Sequence, residues 1–371
     1  MLRRRTVIDV DAVRAAVQSA AGQVEDPEIH QPLAELGMLG DVRVSRTGHT
    51  RIQVRLTTAA CPLKTDLGAA VATAVRSVPG VSTVEVDFDV MPPHQRMRLA
   101  GQLRSHTGDG PRGYGSRASV VAVASGKGGV GKSTITANLA ASLAADGQRV
   151  GILDADVWGH SIPQLFGVDR PPVAMNGMML PIEAHGVRLM STGFFVDDEP
   201  IVWRGPMLDK ALQQFFDDVY WGELDVLFVD LPPGTGDVAL TLLGLVPHAQ
   251  LVVVTTPQLA AQRVAYRAGR MAADARMRIA GVVENMSAAE SSAESAVFGT
   301  GGGARLAEQL ATPLLGRVPL DVILRRSGDA GVPAVIGGEE SAATGELGRI
   351  AGAIDLHRPT LVGRHLPIIP T

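Results

Sequence analysis

Gly126-Lys127-Gly128-Gly129-Val130-Gly131-Lys132-Ser133 stands between an apolar run, Ser119-Val120-Val121-Ala122-Val123-Ala124, and a helix-forming run over residues 133–145. Strand, glycine-rich turn and helix in that order make a phosphate loop. The glycines let backbone N–H groups crowd around phosphate oxygens, because no Cβ blocks the approach. The helix N-terminus adds partial positive charge at the same point. The spacing predicts that Gly126, Lys127, Gly128, Gly129, Val130, Gly131, Lys132, Ser133 and Thr134 hold a nucleoside triphosphate. Lys132 is expected to reach the β- and γ-phosphates, and the Ser133 hydroxyl to ligand Mg2+. Lys127 is one cation more than such a loop needs.

Outward from this loop, residues 118–358 alternate strand-like and helix-like runs. Candidate strands fall at residues 120–124, 150–153, 187–190, 226–229, 251–254, 281–283 and 314–318. Most are continuous apolar runs, as a parallel sheet covered on both faces requires. The fold class is therefore α/β: a mostly parallel sheet with helices on both faces, preceded by a small α/β domain. Ligands on such sheets bind at the carboxyl ends of the strands, and the polar motifs stand there. Asp154 and Asp156 follow one strand, and Asp230 ends another. The carboxylates of Asp154 and Asp156 beside a phosphate loop repel each other and the nucleotide unless Mg2+ joins them, and one of the two can then position a water. Asp230, ending an apolar strand, is predicted to lie near Mg2+. Leu231-Pro232-Pro233-Gly234-Thr235-Gly236-Asp237 is a loop stiffened by prolines and hinged by glycines. Its N–H near Gly234 is placed to sense the γ-phosphate.

Residues 1–92 form the small α/β domain. A helix is predicted over residues 9–21, strands at 41–44, 51–56 and 84–88, and a second helix over 64–77. Residues 93–117 carry Pro93, Gly101, Gly108, Gly110, Pro111, Gly113 and Gly115 among several arginines. They are expected to lack regular structure and to act as a basic linker. Residues 359–371 are proline-rich and expected to be an extended tail.

Bulk composition sets limits. The chain has 371 residues, 46% of them hydrophobic but only 4% aromatic, so its core must be built from aliphatic side chains. No apolar run reaches the roughly 18 residues of a membrane span, and no signal-peptide core follows the basic start. A cytoplasmic protein without membrane attachment is expected. The formal net charge of −4 argues against nucleic acid as a partner. Cys61 is the only cysteine, which excludes an intrachain disulfide and a Cys-x-x-Cys metal site. The nine histidines are scattered without helical metal-site spacing.

Several motifs occur together and in order: the Lys127-to-Ser133 loop, Asp154-Ala155-Asp156, Trp203-Arg204-Gly205-Pro206, the Pro232-to-Asp237 loop, Glu284-Asn285-Met286-Ser287 and Phe298-Gly299-Thr300-Gly301-Gly302-Gly303. Together they resemble the Mrp family of iron–sulfur cluster carrier ATPases, within the deviant Walker A group that includes the nitrogenase iron protein and the Min and Par ATPases. Asp26-Pro27-Glu28, Leu36-Gly37 and Leu56-Thr57-Thr58-Ala59-Ala60-Cys61-Pro62 resemble the small cluster-assembly domain often fused to Mrp proteins. The resemblance implies an ATP-hydrolysing, nucleotide-switched homodimer that serves iron–sulfur client or assembly proteins. It gives Lys127 a reach across the dimer to the partner's nucleotide, Asp156 the water-orienting role, Asp154 a place in the Mg2+ shell, Asn285 a contact to adenine, and the segment around Pro319 the other wall of the base pocket. The catalytic set is then Lys127, Lys132 and Asp156.

One departure from the family stands out. Many Mrp proteins place Cys-x-x-Cys between the asparagine loop and the glycine triplet, and there residues 287–297 read Ser-Ala-Ala-Glu-Ser-Ser-Ala-Glu-Ser-Ala-Val. Serine hydroxyls are poor substitutes for the thiolates that hold iron–sulfur clusters. Cys61 remains the one soft ligand, a candidate for contact with a cluster. The alternative is an adaptor or positioning switch of the Min/Par type that holds no cluster itself.

Overall fold

The computed structural model describes residues 9–58, 61, 63–106, 118–157, 159–195, 205–234, 241–242, 244–288 and 297–356. The predicted loop residues Thr235, Gly236 and Asp237, the pair Trp203-Arg204, residues 289–296 and the tail lie outside these. The strands are β1 (Leu39–Val44), β2 (His49–Leu56), β3 (Thr83–Val90), β4 (Ser119–Ser125), β5 (Val150–Asp154), β6 (Val173–Met175), β7 (Met178–Leu180), β8 (Ile182–Ala184), β9 (Val187–Ser191), β10 (Val226–Asp230), β11 (Gln250–Thr255), β12 (Arg278–Ser287) and β13 (Leu314–Pro319). The chain divides into two compact units. One holds the described residues up to His106 with Val173–Leu180, and the other holds the rest.

The first unit contains the three-stranded sheet β1-β2-β3, with β1 antiparallel to β2 and β3 parallel to it. A parallel pair needs a crossover, and helix Lys64–Arg76 supplies it. Alternation along β2 buries Ile52, Val54 and Leu56 and leaves His49 and Arg51 in solvent. Helix Val10–Gly22 starts where Asp9 accepts from the N–H groups of Asp11 and Ala12. Strands β6 and β7 form a hairpin across Asn176-Gly177, both at positive φ as a two-residue turn of this kind demands.

The expected basic linker is corrected in its first half. Helix Pro93–His106 occupies it and buries Leu99, Ala100 and Leu103. Pro93 lies in the first turn, where a missing N–H costs nothing, so the proline opens the helix rather than breaking it.

The second unit is an eight-stranded sheet in the order β13-β12-β11-β4-β10-β5-β9-β8. All neighbours pair parallel except β8, a short antiparallel edge strand against β9. Every residue of β4, β5, β10 and β11 is buried. The core between sheet and helices is aliphatic, with Val121, Val123, Ile135, Leu139, Ile152, Leu189, Val252 and Leu347 at its centre and few rings such as Phe166 and Phe228. Strand β4 lies mid-sheet, and the chain leaves it first toward β5 and β9 and later toward β11 and β12. Strand order therefore reverses beside β4, which places a cleft at its carboxyl end. No helix among the described residues is long and apolar enough to cross a membrane.

Candidate nucleotide site

The glycine loop follows β4 and ends at helix Lys132–Ala145, whose N-cap, Gly131, is left-handed at φ 82°. A Cβ on Gly131 would fall 2.2 Å from Asn285 Nδ2, so both backbone sign and space require glycine there. Gly128 and Gly129 have nothing within 4 Å of where a Cβ would stand, which leaves their outer side open to a ligand. A cavity of about 340 Å³ lies against residues 128–134 and is closed by Ser125, Asp156, Gly159, Ser161 and Pro233.

The floor of this cavity is a buried charge cluster. Parallel register sets Asp230, the last residue of β10, beside Asp154, the last of β5. Lys132 Nζ donates to Asp230 Oδ2 at 2.7 Å and lies 3.4 Å from Asp156 Oδ2. Ser133 Oγ donates to the same Asp230 oxygen at 2.5 Å, and Thr136 Oγ1 donates to Asp230 Oδ1 at 2.8 Å. Asp154 is wholly buried and accepts from the Asp156 N–H (3.1 Å), the Ile162 N–H (3.3 Å) and Ser191 Oγ (3.0 Å). Burial pushes its carboxyl well above the usual range, Asp230 beside it adds to this, and Lys132 opposes it. Asp156 and Asp230 both face the one Lys132 ammonium, and the excess negative charge is one that a hard divalent cation would neutralise. Mg2+ suits this set: it takes one or two carboxylates with phosphate oxygens rather than a protein cage. Among the described residues, no group of three or more His, Cys, Asp or Glu side chains is arranged to hold a metal ion by itself.

Asp156 is fixed differently from Asp154. Its Oδ1 accepts from the Gly159 N–H at 3.1 Å, and its other oxygen faces Lys132 and the cavity. Lys127 is exposed and lines neither cavity of the site. The Gly234 N–H donates to Ser125 O at 2.8 Å, so a contact to phosphate requires that bond to be exchanged. A second cavity of about 300 Å³ shares Gly131, Thr134 and Ser161 with the first and is walled by Asn285, Pro319, Leu320 and Asp321. Asn285 Nδ2 donates to Val130 O at 2.8 Å, which ties the end of β12 to the glycine loop. Cys61 is half-buried, and its carbonyl accepts from the Lys64 N–H at the start of helix Lys64–Arg76.

Two residues of the cluster and a third, beside Asn285, escaped the sequence reading. Thr136 stands four residues after Lys132, hence on the same helix face, and that spacing was a usable signal. Ser191 reaches Asp154 only through the β5–β9 register. Glu284, whose motif gave it no role, is fully buried and accepts from Ser287 Oγ and the Gly301 N–H.

A family model described as NUBPL iron-transfer P-loop NTPase matches residues 116–355, and one described as iron-sulfur cluster assembly protein matches residues 14–87. The chain belongs to the iron-transfer P-loop NTPase family. The iron-sulfur cluster carrier protein of Mycobacterium tuberculosis (strain ATCC 25618 / H37Rv) is 48% identical over 97% of each chain. That of Deinococcus radiodurans is 44% identical over 95% of this chain and 99% of its own. Among solved structures, a nucleotide-binding protein from Archaeoglobus fulgidus in complex with ADP is 33% identical, covers 67% of this chain and 96% of its own, and has a TM-score of 0.52. The MinC:MinD cell division complex of Aquifex aeolicus, at 20% identity and a TM-score of 0.51, shares the fold. The Mrp-type resemblance and the fused assembly domain are thereby borne out.

Proposed function

We propose that this protein is a Mg2+-dependent ATPase that switches between open and closed homodimers while it delivers iron–sulfur clusters to client or assembly proteins. The observation that carries the reading is the Lys132–Ser133–Asp230 cluster at the floor of an open glycine loop, with Asp156 on its rim. The loop N–H groups bind phosphate, and Lys132 exchanges its carboxylate partners for the β- and γ-phosphates. Ser133 Oγ and Asp230 would hold Mg2+, which would neutralise charge on the phosphates, and Asp154, beside Asp230 in register, would belong to the same shell. Asp156, oriented by the Gly159 N–H, positions the attacking water. The base lies in the second cavity between Asn285 and Pro319. Lys127, exposed and outside both cavities, reaches the nucleotide of the other subunit. Cytoplasmic placement accords with the absence of a membrane-spanning helix among the described residues.

The test pairs phosphate release with sedimentation, each with and without ATP, for wild type and Lys127→Ala. The variant should bind ATP but lose ATP-dependent dimerisation and most of its hydrolysis. A wild type that stays monomeric while hydrolysing ATP at full rate would sink the switch.

A second reading has its own observation, the absence of cysteine from residues 287–297. Under it, the protein is an ATPase adaptor that binds no cluster. Anaerobic reconstitution separates the two: iron and sulfide bound by wild type and lost in Cys61→Ser support the carrier. No cluster in either protein, with hydrolysis intact, supports the adaptor.

A further inference from the structure

Glu284 and Asn285 are neighbours at the end of β12, and strand geometry sends their side chains to opposite faces. Asn285 faces the glycine loop, where its amide donates to Val130 O at 2.8 Å. Glu284 faces the other way. Its Oε1 accepts from Ser287 Oγ at 2.7 Å and from the Gly301 N–H at 3.0 Å, and its Oε2 accepts from the Gly303 N–H. The Ala288 N–H donates to Gly299 O at 3.2 Å, so the two arms of the segment between Ser287 and Gly301 are tied together where they meet the strand. Both faces are also fitted by close approach. A Cβ on Gly303 would lie 2.6 Å from Glu284 Cβ, as one on Gly131 would collide with Asn285.

Glu284 is fully buried, and among the described residues no lysine or arginine forms an ion pair with it. A buried carboxylate costs several kcal/mol unless hydrogen-bond donors replace water. Here those donors are Ser287 on one arm and Gly301 and Gly303 on the other. If the arms left the strand end, they would strand the charge, so the arms and the strand end must move as one body. Asn285 makes the same strand end follow Val130 in the glycine loop. Packed elements of this kind shift between discrete arrangements rather than deform continuously.

We infer that Glu284 is a positioning residue that couples the nucleotide loop to Ser287, Ala288 and residues 299–303, so that nucleotide state sets how firmly these residues are held at the strand end. The inference rests on the reading that nucleotide occupies the glycine loop. Glutamine at 284 cannot serve, because its amide would turn an N–H2 toward one of two backbone N–H donors.

Amide hydrogen exchange of the full-length protein, with and without Mg-ADP, tests this; binding of a fluorescent ADP analogue is measured on the same samples. In wild type, ADP should slow exchange at Ala288, Gly301 and Gly303 by about tenfold. In Glu284→Gln those amides should exchange faster and lose their response to ADP, while the analogue still binds. Ser287→Ala removes one donor without exposing the carboxylate and should blunt the response, which keeps the test open if Glu284→Gln does not fold. ADP bound by wild type with no change at these amides would overturn the coupling, as would a wild-type response in both variants. A wild type that binds no ADP would overturn the nucleotide reading itself, and the coupling with it.

Discussion

The two sheets of this protein handle charge in opposite ways. In the eight-stranded sheet the central strands are buried from end to end, and charge appears only at their carboxyl ends, where Asp154, Asp230 and Lys132 are 0%, 0% and 6% exposed. In the three-stranded sheet every second residue of β2 faces water, and Arg51 pairs with Glu85 at 2.8 Å while both stay about half exposed. Water screens the second pair and adds little net stability to it. The first set is held by low dielectric and directed donors, so each member depends on the others. A sheet covered on both faces concentrates its polar chemistry at one edge; a sheet covered on one face spreads it over a solvated surface.

Substitution tests this contrast, and the largest effect is expected at Lys132. Lys132→Ala leaves Asp230 buried without its cation, which should lower stability by about 3–5 kcal/mol and abolish nucleotide binding. Urea unfolding and titration with a fluorescent ADP analogue read the two losses separately. A variant of unchanged stability would show that water reaches the cluster freely, and the contrast between the sheets would collapse. Asp156→Ala, at the rim, should leave ATP binding intact and cut single-turnover hydrolysis by about 10²- to 10⁴-fold. Retained turnover would move the water-positioning role elsewhere.

Gly131→Ala is smaller in atoms and sharper in geometry. A left-handed alanine costs about 1–2 kcal/mol, and its Cβ displaces Asn285 from Val130. Loss of ADP affinity together with faster exchange at the Asn285 end of β12 is expected; loss of affinity alone would separate the loop from that strand. Arg51→Ala in the small sheet should leave the melting temperature and hydrolysis at their wild-type values. A clear drop in melting temperature would mean that the exposed pair is held far better than its solvation suggests.

Much of this was legible in the chain. The continuous apolar runs match the buried strands to within a few residues, because two-sided burial leaves no room for polar residues mid-strand. The phosphate loop was legible for a related reason: crowding backbone around phosphate demands glycine, and few other tasks demand it in that spacing. The helix at Pro93–His106 was misread because proline breaks a helix interior but suits its first turn, and composition does not distinguish the two positions.

Sequence alone determined the seven parallel strands of the large sheet, the residue types at their ends and the lack of a second cysteine, since these depend on local periodicity and on composition. Only the tertiary structure decided which strand ends became neighbours. Asp154 and Asp230 are 76 positions apart in the chain, yet register sets them side by side, and Ser191 and Glu284 acquire roles solely through what packs against them. The reason is physical. A buried charge is tolerable only where donors from distant segments converge, and that convergence belongs to the fold.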